Sequence, residues 1–566
     1  MAFSMTPLLN GERAVVLFFI TSVLVSLPFS LLYHGLALSL LTLSALCVEI
    51  QVESSNSLHQ FKTRPGASSG ILLGAITLPA VMLAKMIQLT RAFSSNHIGL
   101  EEIETWTMQF WSTSTCCLSV LVLLWNAMGE SDVVSLACPH RPWRLKLGLG
   151  CKILYGAVCY SSLATIYSNV VHVTLMLSWI LCHGLVASKL IRHLLCTFPA
   201  CASMGEALLV TAGLVLYFGD MLGCTIAKML GALSSSDLIS FQYMLNRSEI
   251  SPIIQGLLLG LLLCSVVFKR LHIWECILNS ENSEAKKYIE IRRSMIFFAL
   301  LGFILIVVVP SWMMLVHEFD THPFLWVISF TFSEPLKRIS LCVYWLSLIC
   351  ASILRFYNIS RSSKIERILL RKYYHLMAVL MFLPALIFQP RFLNLAFGAA
   401  LAVFLALEII RVWRIWPLGQ PVHQFMNAFT DHRDSELLIV SHFSLLLGCA
   451  LPIWMSSGYN DRPLAPFAGI LSLGIGDTMA SVVGHKYGVL RWSKTGKKTI
   501  EGTAAGITSV LAACSILLPL LASTGYFLTE WLSLLLAVTI SGLLEAYTAQ
   551  LDNAFIPLVF FSLLCL

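Results

Sequence analysis

Apolar runs of about twenty residues follow one another along most of the chain, separated by short polar loops. The clearest are Ala14–Tyr33, Ile71–Leu89, Leu208–Ile226, Ile253–Phe268, Met295–Val316, Leu376–Phe388, Phe392–Ile410, Leu437–Met455 and Ala504–Leu521. A helix needs ~20 mostly apolar residues to cross hydrocarbon. The strict alternation that a transmembrane β-strand requires is absent. The pattern predicts an all-α integral membrane protein, a multi-pass helical bundle with about fifteen transmembrane helices. Composition agrees: hydrophobic residues fill 57% of 566 positions, charged residues only 12%, and mean hydropathy is +0.80. A soluble domain carries roughly twice that charge.

Smaller features narrow the class. Only Arg13 marks a basic flank at the N-terminus and no cleavage site is evident, so the first apolar run is expected to be retained. The 17 cysteines are scattered through apolar runs without a CxxC pair, which fits small reduced residues better than metal ligands or disulfides. A net charge of +7, concentrated in loops, bears on topology and not on nucleic-acid binding.

Polar residues divide the chain into two parts. Residues 1–350 show helix after helix with stray ionisable groups, notably Lys85, Asp220 and Lys228, and no defensible repeat. From 351 to 566 the charges become organised. Arg355, Arg361, Lys364, Arg367, Arg371 and Lys372 share one loop region, Arg411, Arg414 and Arg433 the next but one, and Lys486, Arg491, Lys494, Lys497 and Lys498 the next but one again. The intervening turns hold Arg391 and Arg462 alone. Fourteen basic residues therefore fall on one side and two on the other, which places the richer side in the cytoplasm.

Four carboxylates, Glu408, Asp477, Glu545 and Asp552, fall at that same boundary on separate hairpins. Arginine and lysine snorkel to water from a helix end; short carboxylates do so poorly, so this gathering points to a metal–nucleotide site. Mg2+ takes one or two carboxylates plus substrate phosphates and keeps several waters. Asp477, between Gly476 and Thr478, suits one such ligand. Lys497 and Lys498 supply point charges for phosphate, Thr499 a hydroxyl, and the helix opening at Gly502 its amides. Gly496-Lys497-Lys498-Thr499 is not a P-loop, since Arg491 stands where the first glycine is required and no strand precedes it.

Asp477, Ala480, Gly484 and Gly488 form DxxAxxxGxxxG; eight residues later comes Lys497-Lys498-Thr499-Ile500-Glu501-Gly502. This resembles the CTP-dependent polyprenol kinases, the dolichol kinases most closely, at nine positions within twenty-six residues. Further similarity lies in Arg371–His375, Glu408–Arg411, Asp431–Asp434 and Glu545 through Pro557, so the likeness spans about 360–566. It implies an endoplasmic-reticulum membrane enzyme with a cytosolic site that uses CTP and Mg2+ or another divalent cation to phosphorylate dolichol for glycosylation. By that resemblance Asp477, Lys498, Glu501 and His375 do the chemistry. Gly476, Thr478, Ala480, Gly484, Gly488, Lys497, Lys498, Thr499, Gly502, Arg371 and Lys372 hold the nucleotide, and Asp477, Glu545, Asp552 and Glu408 hold the metal.

Alternatives stay open. His375 is a structural hydrogen-bonder or a phosphate contact or base. Arg371 and Lys372 are nucleotide contacts or cytoplasmic anchors, and Asp431, Arg433 and Asp434 a site or a loop ion cluster. At the level of the whole chain, the competitors are a kinase for phytol, farnesol or diacylglycerol, a CDP-lipid-forming cytidylyltransferase, and a transporter using Lys85 and Asp220. A long acceptor chain cannot leave hydrocarbon, so the site is expected to open sideways, with Phe392–Ile410 and Trp531–Glu545 as its walls.

Overall fold

A computed structural model describes residues 10–55, 61, 63–64, 68–95, 97–131, 141–167, 169–233, 248–278, 285–361, 367–427, 439–492, 498–522 and 531–566. Among them the chain is helical throughout, and one isolated antiparallel bridge, Arg491 with Thr499, is its only β pairing. The helices in order are α1 Gly11–Val25, α2 Leu32–Ser55, α3 Ile71–Ser94, α4 Leu100–Ser131, α5 Arg141–Ile166, α6 Val170–Thr197, α7 Met204–Leu233, α8 Ile250–Leu278, α9 Ala285–Phe303 and α10 Val309–Val316. They continue with α11 Pro323–Phe332, α12 Pro335–Arg361, α13 Arg367–Phe388, α14 Pro390–Trp413, α15 Gly419–Asn427, α16 Val440–Met455, α17 Thr478–Tyr487, α18 Ile500–Ala522, α19 Trp531–Tyr547 and α20 Asp552–Cys565. Two π-helical segments, Ile304–Val308 and Ile470–Asp477, run directly into α10 and α17.

Ten of the described helices are long and apolar enough to cross a membrane. Five more apolar helices are 10–17 residues long, and among the described residues the count of fifteen is not confirmed.

Compactness divides the chain differently from its charge pattern. One unit gathers Met1–Asp220, Glu366–Val379 and Gly448–Leu566; the other gathers Met221–Ile365 and Leu380–Leu447. In the first, α3 is buried along its entire apolar span and packs against α2, α4 and α20. A helix buried all round must be apolar all round, which explains why Ile71–Leu89 shows no polar stripe. In the second unit α8 packs against α9, α10 and α14, with Phe268, Phe297 and Trp413 in mutual ring contact.

Candidate active site

The site forms in the first unit where α13 meets the π-helical segment. Lys372 and His375 are three residues apart and so lie on one face of α13. Both reach Asp477, the last residue of the segment: Lys372 Nζ donates to Oδ2, and His375 Nδ1 lies 3.0 Å from the same oxygen and 3.1 Å from the Leu473 carbonyl. All three side chains are buried, Asp477 to 3% exposure. Oδ1 of Asp477 has no hydrogen bond among the described residues. An unaccompanied carboxylate at this depth would be prohibitive, and the lysine makes it tolerable. The π-helical turn displaces the side chains that follow from the ordinary helical register, a distortion that recurs at functional sites.

The glycine motif brings two helices together. Ala480 and Gly484 lie about one turn apart on α17, Gly488 ends that helix, and α17 packs against α18. A Cβ on Gly484 would lie 2.8 Å from Thr499 Oγ1 and 3.4 Å from Gly502 Cα. A Cβ on Gly502 would lie 2.6 Å from the Ala480 carbonyl, and one on Gly506 would lie 3.1 Å from the Gly476 carbonyl. The small residues therefore let two helix backbones approach, as at close-packed membrane helix interfaces. Gly484→Leu forces these helices apart, a change of order 1–3 kcal/mol. Its thermal midpoint in detergent is expected to fall by several degrees, and an unchanged midpoint would contradict the packing role.

Beyond α17 the chain folds back on itself. Ile500 N–H donates to the Leu490 carbonyl at 2.8 Å and Trp492 N–H to the Lys498 carbonyl at 3.2 Å. Glu501 fastens this loop by accepting the Leu490 N–H through both oxygens, at 2.9 and 3.2 Å. Thr499 Oγ1 accepts the Gly502 N–H at 3.2 Å and so caps α18. Trp492 Nε1 donates to Thr503 Oγ1 at 2.9 Å, and its ring meets Tyr547 at 5.1 Å. Lys498 Nζ donates to the backbone carbonyl of Glu545, which ties α18 to the end of α19. The Glu545 carboxylate in turn lies within electrostatic range of Asp477, Asp552, Lys372 and Lys498.

The sequence reading missed what holds the turn between Glu545 and Asp552. Gln550 is buried; its Nε2 donates to the Ser68 carbonyl at 3.0 Å and to Ser68 Oγ at 2.9 Å, while Ser203 Oγ donates to its Oε1. Leu551 N–H donates to Glu206 Oε1 at 2.7 Å, and Arg64 pairs with that oxygen at 2.8 Å. Glu206 Oε2 accepts the Ser203 N–H at 2.8 Å. Residues from the first half of the chain thus clamp the acidic turn. The available signal was a buried-type glutamate opening an apolar run at Glu206, but nothing in the sequence named its partner.

The sequence model of the dolichol kinase family matches residues 167–512. The dolichol kinase EVAN of Arabidopsis thaliana is 62% identical over 564 residues, 99% of each chain. The human dolichol kinase is 33% identical over 390 residues, 66% of each, and that of Saccharomyces cerevisiae 31% over 249 residues, 44% of this chain and 45% of its own. The chain belongs to the dolichol kinase family. No solved structure matches it. Membership of the dolichol kinases extends over nearly the full length, further than the 360–566 of the motif resemblance.

Against that family background the outlying residues find places. Glu408, in the second unit, accepts Arg411 Nε at 2.7 Å, its terminal nitrogen at 2.6 Å and the Ile439 N–H at 3.1 Å. Lys85, the buried lysine that favoured a transporter, donates to Gln88 Oε1 at 2.8 Å and to the Tyr459 carbonyl at 2.6 Å, and Gln88 binds Asn460 and Asp461. It holds a turn. Asp220 lies in electrostatic range of His183 and Tyr217, and Lys228 pairs with Glu318 at 3.7 Å. Lys497, Asp431, Arg433 and Asp434 lie outside the described residues, and Arg371 is described only as part of α13. Among the described residues no three His, Cys, Asp or Glu side chains gather at metal-binding range.

Proposed function

We propose that this kinase transfers the γ-phosphate of CTP to the hydroxyl of dolichol, giving dolichyl phosphate for lipid-linked sugar pathways. The observation that carries the reading is the buried Asp477, fixed through one oxygen by Lys372 and His375 at the head of the family's motif. Phosphoryl transfer asks the protein mainly for positioning and neutralisation of charge. The acceptor oxygen bonds to the γ-phosphorus as that phosphorus separates from the β–γ bridging oxygen, and CDP leaves.

The donor set fits Mg2+ and not an all-protein cage, because among the described residues no three His, Cys, Asp or Glu side chains gather. Asp477 Oδ1 and Glu545 are the proposed ligands, with Asp552 beside them. When bound, the cation neutralises charge on the phosphates. Lys498 is the proposed partner of the nucleotide phosphates, and the sequence motif assigns Lys497 and Arg371 to the same role. His375 and Lys372 keep the Asp477 carboxylate aimed. Glu501, Thr499, Gly484, Gly488 and Gly502 shape the nucleotide loop and do not touch the reacting atoms. Glu408 stays outside the cation shell, because its oxygens are already engaged by three donors. The chemistry resides in 351–566, while Arg64, Ser68, Ser203 and Glu206 hold the acidic turn.

Radiolabelled γ-phosphate of CTP, offered with dolichol, phytol and diacylglycerol side by side, tests the function. Label is expected on dolichol well above the other two; label on diacylglycerol alone, or on none, overturns the reading. We place the site on the cytosolic face of the endoplasmic reticulum, from the excess of basic residues in alternate loops. The Asn358-Ile359-Ser360 sequon at the end of α12 is then expected to carry no glycan. A mobility shift on endoglycosidase digestion that is lost in Asn358→Gln would reverse the orientation.

A further inference from the structure

The residues that grip the acidic turn form the opening of α7, and their geometry does more than start a helix. Ser203 immediately precedes α7 and Glu206 is its third residue. Ser203 Oγ accepts the Glu206 N–H at 3.1 Å, and Glu206 Oε2 accepts the Ser203 N–H at 2.8 Å. This reciprocal pair is a capping box, which satisfies donors that a helix start leaves open. A capping box occupies one hydroxyl and one carboxylate oxygen. Here each member has a second partner, 347 and 345 positions away: Ser203 Oγ donates to Gln550 Oε1, and Glu206 Oε1 accepts the Leu551 N–H. Ser203 and Glu206 are each 2% exposed, and Gln550 is 1% exposed. The segment ahead of α3 completes the grip. Arg64 N–H donates to the Ala202 carbonyl at 3.0 Å, Gly205 N–H to the Ser69 carbonyl at 2.9 Å, and the Arg64 guanidinium pairs with Glu206. Gly70, at φ +61°, leaves room for the Gln550 amide, from which a Cβ would lie only 2.4 Å.

Leu551 accepts the Ala554 N–H at 3.0 Å, which opens α20, and it has no side-chain cap of its own. Its backbone therefore sets where Asp552, the first residue of α20, begins. Asp552 and Asp477 both lie in electrostatic range of Glu545. We infer that Ser203 and Glu206 are positioning residues for the cation of the kinase reaction: the capping box of α7, through Gln550 and Leu551, holds Asp552 in place beside Glu545 and Asp477. Both act through the acidic turn and not by contact with the cation. The inference rests on the assignment above of the cation to Asp477 and Glu545 with Asp552 beside them. It makes cation binding depend on residues far ahead of 351, although no reacting group lies there.

Glu206→Gln offers one acceptor oxygen to two backbone N–H groups, so it cannot keep both the capping box and the Leu551 contact. Ser203→Ala removes a single hydroxyl and with it the Gln550 contact. Mn2+, a paramagnetic substitute for Mg2+, is titrated into the purified full chain with CDP present and followed by the EPR signal of the free ion. Its affinity is expected to weaken about tenfold or more in both variants, as when the partners that orient metal ligands are removed. The Mg2+ concentration for half-maximal rate is expected to rise by the same factor, with most of kcat restored at saturating Mg2+ and the KM for dolichol within about twofold. A lower thermal midpoint with Mn2+ affinity and Mg2+ dependence unchanged would make the box purely structural and overturn the inference. Ser203→Ala decides the matter if Glu206→Gln does not survive purification. In the unmodified protein, Mn2+ with CDP is expected to slow amide hydrogen exchange across 548–554, and unchanged exchange there would also overturn it. Asp552→Asn separates this inference from the assignment beneath it. Cation dependence unmoved in Asp552→Asn would sink that assignment, whereas a shift in Asp552→Asn with none in either box variant would sink the inference alone.

Discussion

Asp477→Asn is expected to reduce phosphoryl transfer by on the order of 100-fold or more while the protein remains membrane-inserted, because the substitution keeps the shape of the side chain and removes its charge. The structure supplies a complication that the experiment must separate. Lys372 is buried against this carboxylate, and breaking a buried pair from one side costs about 3–5 kcal/mol, so some loss comes from stability alone. The double variant Lys372→Met/Asp477→Leu resolves the two effects. An apolar pair of similar volume recovers much of the lost stability, so its thermal midpoint is expected to return toward that of the unmodified protein while activity stays abolished. Near-normal turnover in Asp477→Asn at limiting Mg2+, or recovered turnover in the double variant, would show that the carboxylate is structural.

Lys498→Ala is expected to raise the apparent KM for CTP about tenfold or more and to leave the KM for dolichol within twofold. The ammonium reaches the backbone carbonyl of Glu545 from just before α18, so it stands at the acidic end of α19. A point charge placed there neutralises phosphate oxygens without needing bidentate geometry. Lys498→Arg is therefore expected to retain part of the CTP affinity. A purely structural link between α18 and α19 would behave otherwise, lowering the thermal midpoint in Lys498→Ala with both KM values unchanged. That outcome would move the nucleotide contact to Lys497 and the loop around it.

The sequence by itself determined the class of the protein and the position of its family's motif. Hydrocarbon-length runs admit only helices, because backbone amides have no water to bond inside a bilayer. The spacing of Lys372 and His375 placed both on one helix face, and the motif spacing placed Ala480 and Gly484 on one face of another; both follow from helical periodicity, which is local. Tertiary structure decided what each residue does there. Gly484, Gly502 and Gly506 admit a neighbouring helix backbone, and Glu501 closes a loop through the Leu490 N–H. Whether a small residue faces a ligand or a helix depends on what packs opposite, and periodicity does not encode that. The same limit hid the clamp on the acidic turn. Ser68 meets Gln550 and Glu206 meets Leu551 across 482 and 345 positions of sequence. Local pattern fixes which face of a helix is apolar or small. Only packing, which minimises buried unpaired polar groups over the whole chain at once, fixes which face it meets.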